Sequence, residues 1–104
     1  MIIWIASYPK SGNTYLRSFL SSYYYSEDGK FNFNHLSNIR QFPNLKFSKF
    51  QARTKEEASQ NWIFNQNEFF KEENLNLTKT HNCLYPFRGN QFTSSNLSLG
   101  AIYI

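Results

Sequence analysis

The sequence predicts an α/β protein, on three observations. Short apolar runs suited to strands occur at Ile2–Ala6, Leu75–Lys79 and Leu99–Ile104. Helical patterns occupy Thr14–Tyr25 and the stretch from Thr54 to about Lys71. The first strand enters the first helix through a polar loop with one glycine, Lys10-Ser11-Gly12-Asn13-Thr14. Strands alternating with helices imply an open sheet with helices packed on it.

The elements follow in order. Ile2–Ala6 has the composition of a buried strand, and it breaks at Tyr8-Pro9, where proline removes a donor and fixes φ. Tyr15, Leu16, Phe19, Leu20, Tyr23 and Tyr24 then form a wide apolar stripe at helical spacing. Ser26-Glu27-Asp28-Gly29-Lys30 stops that helix with turn formers. Residues 31–52 predict a loop with a helical turn near Leu36–Ile39, because Pro43 and scattered Asn oppose a long strand. Thr54-Lys55-Glu56-Glu57 is a capping box, in which Thr54 caps and Glu57 reaches back. The helix it opens ends at Glu72-Glu73-Asn74. Leu75–Lys79 alternates apolar and polar residues. Leu84–Phe87 and Gln91–Thr93 flank Arg88-Gly89-Asn90 as a small hairpin. Leu99–Ile104 has the composition of a third buried strand, at which the chain ends.

Composition bounds the function classes. The 104 residues give room for one domain with a modest core. A 40% hydrophobic and 19% aromatic content excludes a disordered chain. The formal net charge of +4 suits an anionic ligand and equally suits a mildly basic surface. Lys46, Lys49 and Arg53 are too thin a cluster for a nucleic-acid interface. A single cysteine, Cys83, excludes an internal disulfide and a multi-cysteine zinc site. No cluster has metal-ligand spacing. No segment is long and apolar enough for a transmembrane helix, and the expected location is cytoplasmic.

The glycine loop is the strongest signal. After a strand and before a helix, loop amides and the free N–H groups of the first helical turn converge on one spot favourable to an anion. Lys10 adds a positive charge there, and Ser11 and Thr14 add hydroxyl donors. This is not a Walker A loop, because Lys10 precedes Gly12. The second signal is Lys79-Thr80-His81 at the end of the second predicted strand. Strand C-termini form the ligand edge of open α/β sheets, so Lys10, Lys79 and His81 are expected on one rim. Alone, Lys-x-His is a weak motif, and an isolated His81 reads as a polar loop residue. Cys83 reads as a plain free thiol, and His35 has no partner motif.

The run Tyr8-Pro9-Lys10-Ser11-Gly12-Asn13-Thr14-Tyr15 resembles the 5′-phosphosulfate-binding loop of sulfotransferases that use 3′-phosphoadenosine 5′-phosphosulfate (PAPS). Lys79-Thr80-His81 resembles that family's second signature, and Leu99–Ile104 resembles the strand before its 3′-phosphate segment. The resemblance implies a P-loop-like, three-layer α/β fold around a parallel sheet. It covers residues 1–104 as the N-terminal portion of one sulfotransferase domain, truncated before the 3′-phosphate-binding residues. It implies sulfuryl transfer from PAPS as co-substrate, without a metal, to a hydroxyl or amine acceptor. It implies His81 as general base, Lys10 on the oxygen bridging phosphate and sulfate, and Lys79 on sulfuryl or phosphate oxygens. It further implies Ser11, Gly12, Asn13 and Thr14 around the 5′-phosphate, and Tyr15 stacked near the adenine. The chain departs from the pattern at Tyr15, where members usually have Trp, and at Asn13, where many have Thr.

Two other readings stand beside this one. A fragment or nucleotide-binding remnant without activity would keep the first half of the fold. Such a fragment would expose Leu99–Ile104 as an apolar edge and fold marginally. A P-loop nucleotide kinase ranks behind both, because it needs a true Walker A loop and a magnesium-holding Asp. The acceptor and the oligomeric state are not legible in the sequence.

Overall fold

A computed structural model of the chain describes residues 1–8, 12–44, 46, 48, 52–70 and 75–104. Among them, four parallel strands form one sheet: β1 (Ile2–Ala6), β2 (Arg40–Gln41), β3 (Asn76–Thr80) and β4 (Ser98–Tyr103). The order across the sheet is β2-β3-β1-β4, so the fold is α/β with β1 inside the sheet. The helices are α1 (Asn13–Tyr25), α2 (Phe33–Leu36), α3 (Lys55–Gln60) and α4 (Trp62–Phe69).

Side chains alternate across a strand, and β1 divides the core accordingly. Ile2 and Trp4 face Phe42, Trp62, Phe70 and Phe92. Ile3 and Ile5 face Leu77, Ile39 and the α1 residues Leu16 and Leu20. Helices therefore lie on both faces: α1 on one, α4 on the other. The aromatic layer is built from a tilted pair, Trp4 and Phe92 with ring centres 5.0 Å apart, and an edge-to-face pair, Trp62 and Phe92 at 5.1 Å. The Trp4 indole N–H donates to Ser98 Oγ at 2.7 Å, and the Gln66 amide donates to the Phe92 carbonyl at 2.6 Å. These bonds fix the segment before β4 against the sheet.

Several elements differ from the sequence expectation. The apolar stripe of α1 is only half used. Leu16 and Leu20 pack on the sheet, whereas Tyr15, Phe19 and Tyr23 are 81%, 62% and 72% exposed. The α2 turn comes one turn earlier than Leu36–Ile39. It is capped by Asn32, whose side chain accepts from the Asn34 amide at 2.9 Å. The region expected as loop also contains β2, which exists by pairing Arg40 and Gln41 with Thr78 and Lys79.

The single helix expected from Thr54 breaks at Asn61, whose side-chain amide donates to the Glu57 carbonyl at 3.0 Å and competes with the helical ladder. Lys71 and Glu72-Glu73-Asn74, its expected end, lie outside the described residues. The cap itself forms. Thr54 Oγ1 accepts from the Glu57 amide at 3.1 Å, and Glu57 reaches back to the amide of Arg53 rather than of Thr54. The predicted hairpin reduces to one antiparallel bridge, Phe87 to Asn90, with positive φ at Arg88 and Gly89. β4 is an exposed edge strand, with Leu99 and Tyr103 62% and 71% exposed, although its composition suits burial.

Candidate functional site

β1 and β3 are parallel neighbours, with Ala6 opposite Thr80. Their C-terminal exits therefore open side by side. The chain leaves β1 into α1 on one face of the sheet, and leaves β3 into the segment of Phe92 on the other. Between two such strands the connections diverge, and the crevice at their carboxyl ends is the position where open α/β sheets bind ligands.

Ser7, buried just past β1, ties the crevice together. Its amide donates to the Thr80 carbonyl at 3.1 Å, continuing the ladder by one residue. Its carbonyl lies 2.8 Å from His81 Nδ1. Its hydroxyl accepts from the Asn13 side-chain amide at 2.9 Å, and the same amide reaches the Ile5 carbonyl at 3.3 Å. One serine thus connects the exits of β1 and β3 to the start of α1.

The His81 contact decides a tautomer. A backbone carbonyl only accepts, so Nδ1 must carry the proton. In the neutral ring Nε2 is then the basic nitrogen, the arrangement a general base needs. His81 is half-buried, and the chain turns behind it where the Asn82 amide donates to Thr80 Oγ1 at 3.0 Å.

Gly12 precedes α1 with φ of 95°, a left-handed conformation that favours glycine. The helix starts with no side-chain cap and no acidic residue in its first turn. Among the described residues no side chain accepts from its leading N–H groups, and its dipole favours an anion there. Thr14 and Tyr15 are exposed at this end. The Asn13 side chain points inward, 4% exposed, so it shapes the loop while its backbone amide belongs to the first turn. Pro9, Lys10 and Ser11 lie outside the described residues.

Lys79 occupies the β3 position two before His81. By alternation it projects to the face that carries Leu77 and α1. Burial and the nearby Arg17 guanidinium hold its ammonium below the ordinary lysine range. Arg17 is itself depressed by burial, and it donates to the Ile39 carbonyl at 3.2 Å. Two cations thus face each other beside the crevice.

The fold therefore joins His81 and Asn13 through Ser7, with Gly12 beside Asn13, while Lys79 lies within β3 on the α1 face. Sequence reasoning missed Ser7 and Arg17. A serine after an apolar strand carries no motif. Arg17 gave a signal: it sits four residues after Asn13, on the sheet-facing side of α1 between Leu16 and Leu20. Cys83 is an exposed free thiol. Among the described residues, no group of His, Cys, Asp and Glu is placed to hold a metal ion, and no helix is long and apolar enough to cross a membrane. No family model, curated protein or solved structure matches the chain.

Proposed function

We propose that the chain carries the donor-binding and base-bearing part of a PAPS-dependent sulfotransferase, in a P-loop-like α/β domain. The observation that carries this reading is the 2.8 Å contact between His81 Nδ1 and the Ser7 carbonyl, which leaves Nε2 as the basic nitrogen, on a serine that also holds Asn13 at the start of α1. The uncapped start of α1 and the left-handed Gly12 suit a phosphate-bearing donor. The described acidic residues Glu27, Asp28, Glu56, Glu57 and Glu68 all lie on other segments.

PAPS supplies an activated sulfuryl group. His81 Nε2 takes the proton from an acceptor hydroxyl or amine as the acceptor atom bonds to sulfur and the bond from sulfur to the bridging oxygen breaks, releasing 3′-phosphoadenosine 5′-phosphate. Lys10 offsets charge developing on the bridging oxygen, and Lys79 holds sulfuryl or phosphate oxygens. Ser11, Gly12, Asn13 and Thr14 surround the 5′-phosphate, chiefly through backbone amides, and exposed Tyr15 offers a face to the adenine. The exposed β4 edge suits a sheet that further strands extend, and it keeps a non-catalytic nucleotide-binding remnant as the second reading.

Calorimetric titration with 3′-phosphoadenosine 5′-phosphate tests the proposal. Binding is expected, with affinity lowered about tenfold or more by Lys10→Ala, as for loss of one charge-assisted contact. Unchanged affinity in that variant would overturn it.

A further inference from the structure

A second basic feature lies next to the crevice. Between α1, the α2–β2 turn and the exit of β2 is a cavity of about 360 Å³, lined by Arg17, Ser37, Gln41, Asn44 and Lys46 among others. Among the described residues, no Asp or Glu lines it. Arg17 enters from α1 with one guanidinium nitrogen committed to the Ile39 carbonyl, while its buried Nε–H has no partner among the described residues. Arg40 also borders the cavity, but its guanidinium lies over the Phe70 ring at 5.3 Å. The cavity opens at the level where Gln41 pairs with Lys79, and the Phe42 amide donates to the Lys79 carbonyl at 2.9 Å. It is therefore one strand spacing from β3, whose next residues lead to His81. One strand spacing is about 5 Å, within the span of a small hydroxylated molecule.

Cations with no carboxylate among the described lining residues, a buried donor without a described partner and polar side chains around one cavity are the features of an oxyanion site. We propose that this cavity binds an anionic group of the acceptor, a carboxylate or a sulfate or phosphate ester, and so selects acceptors that are themselves anionic. The inference rests on the sulfotransferase reading for the word acceptor, but the anion site stands on its own residues. The Lys79 and Arg17 pKa values, held below the ordinary range by burial and, for Lys79, by Arg17, fit a site that gains from an incoming negative charge.

Glucose 6-sulfate, glucose and inorganic sulfate are the probes, read by amide chemical shifts of the labelled protein. Glucose 6-sulfate is expected to move Ser37, Gln41 and Asn44, and glucose is not. Lys46→Ala and Arg17→Gln are each expected to weaken the sulfate ester about fivefold. Lys46 is exposed, so its variant tests the site even if Arg17→Gln loosens α1. Equal shifts from glucose and its sulfate, or no shift at these residues, would overturn the proposal. A response to inorganic sulfate without one to the ester would overturn its acceptor part. A parallel titration with 3′-phosphoadenosine 5′-phosphate reports on Gly12 and Asn13. Its failure counts against the sulfotransferase reading and leaves the cavity result standing.

Discussion

The Ser7 carbonyl accepts a hydrogen bond from His81 Nδ1 at 2.8 Å, across the seam between the first and third strands. A main-chain atom of one strand exit thereby sets the tautomer of a side chain on the other. In a protein competent for transfer, His81→Ala is expected to lower turnover by about 10²–10⁴-fold, the usual contribution of a general base. His81→Asn keeps an N–H for the Ser7 carbonyl but no base, so it should melt like the parent and be as inactive as the alanine variant. Near-normal turnover in either would remove His81 from the base role.

Gly12 holds φ of 95° where an added Cβ meets no atom within 4 Å. The cost of Gly12→Ala is therefore conformational rather than steric crowding, about 1–2 kcal/mol. Thermal unfolding should show a lowered Tm. Binding of 3′-phosphoadenosine 5′-phosphate should weaken as the loop amides are re-aimed. An unchanged Tm would contradict the left-handed backbone.

The Asn13 amide bridges Ser7 Oγ and the Ile5 carbonyl in a buried position. Asn13→Ala leaves both acceptors without that donor, at about 1–3 kcal/mol. Asn13→Thr restores the residue common in the resembled family but cannot supply two amide protons. It is expected to be destabilising in denaturant titration, although less than alanine. A more stable threonine variant would show that the bridge is dispensable.

Lys79 has its ammonium disfavoured by burial and by Arg17. A base depressed on folding binds fewer protons folded than unfolded, so stability rises with pH between the folded value and the ordinary lysine value. Lys79→Met should therefore raise Tm at neutral pH, and the difference should shrink at alkaline pH. The same variant should weaken donor binding. A lysine retained at a cost to stability, and needed for the ligand, is the expected mark of a site residue. A variant less stable at neutral pH and more stable at alkaline pH would reverse the sign and refute the account.

The legible parts of the fold were those with strong local patterns. Ile2–Ala6, Asn13–Tyr25 and Asn76–Thr80 lie within a residue of their expected bounds, because apolar runs and a glycine loop mark them in sequence. The two-residue strand at Arg40–Gln41 was not legible, since only its partner strand creates it. The break at Asn61 has only a weak sequence signal, one asparagine inside a helical pattern, beside the strong cap at Thr54. In the site, the position of His81 just past β3 followed from the strand end alone, and Lys10 lies outside the described residues. The Ser7 linchpin required knowing that the first and third strands are adjacent, a non-local fact no motif encodes. Half of the α1 stripe misled, because tyrosine and phenylalanine at helical spacing do not say which of two neighbouring faces meets the sheet.

The most direct measurement follows the His81 ring nitrogens and the backbone amides of Gly12, Asn13 and Thr14 in one titration with 3′-phosphoadenosine 5′-phosphate. The account predicts a ring protonated at Nδ1 before addition, and ring and loop signals that then move together with a single dissociation constant. A ring protonated at Nε2, or loop signals that shift while His81 stays unmoved, would contradict a shared donor and base site.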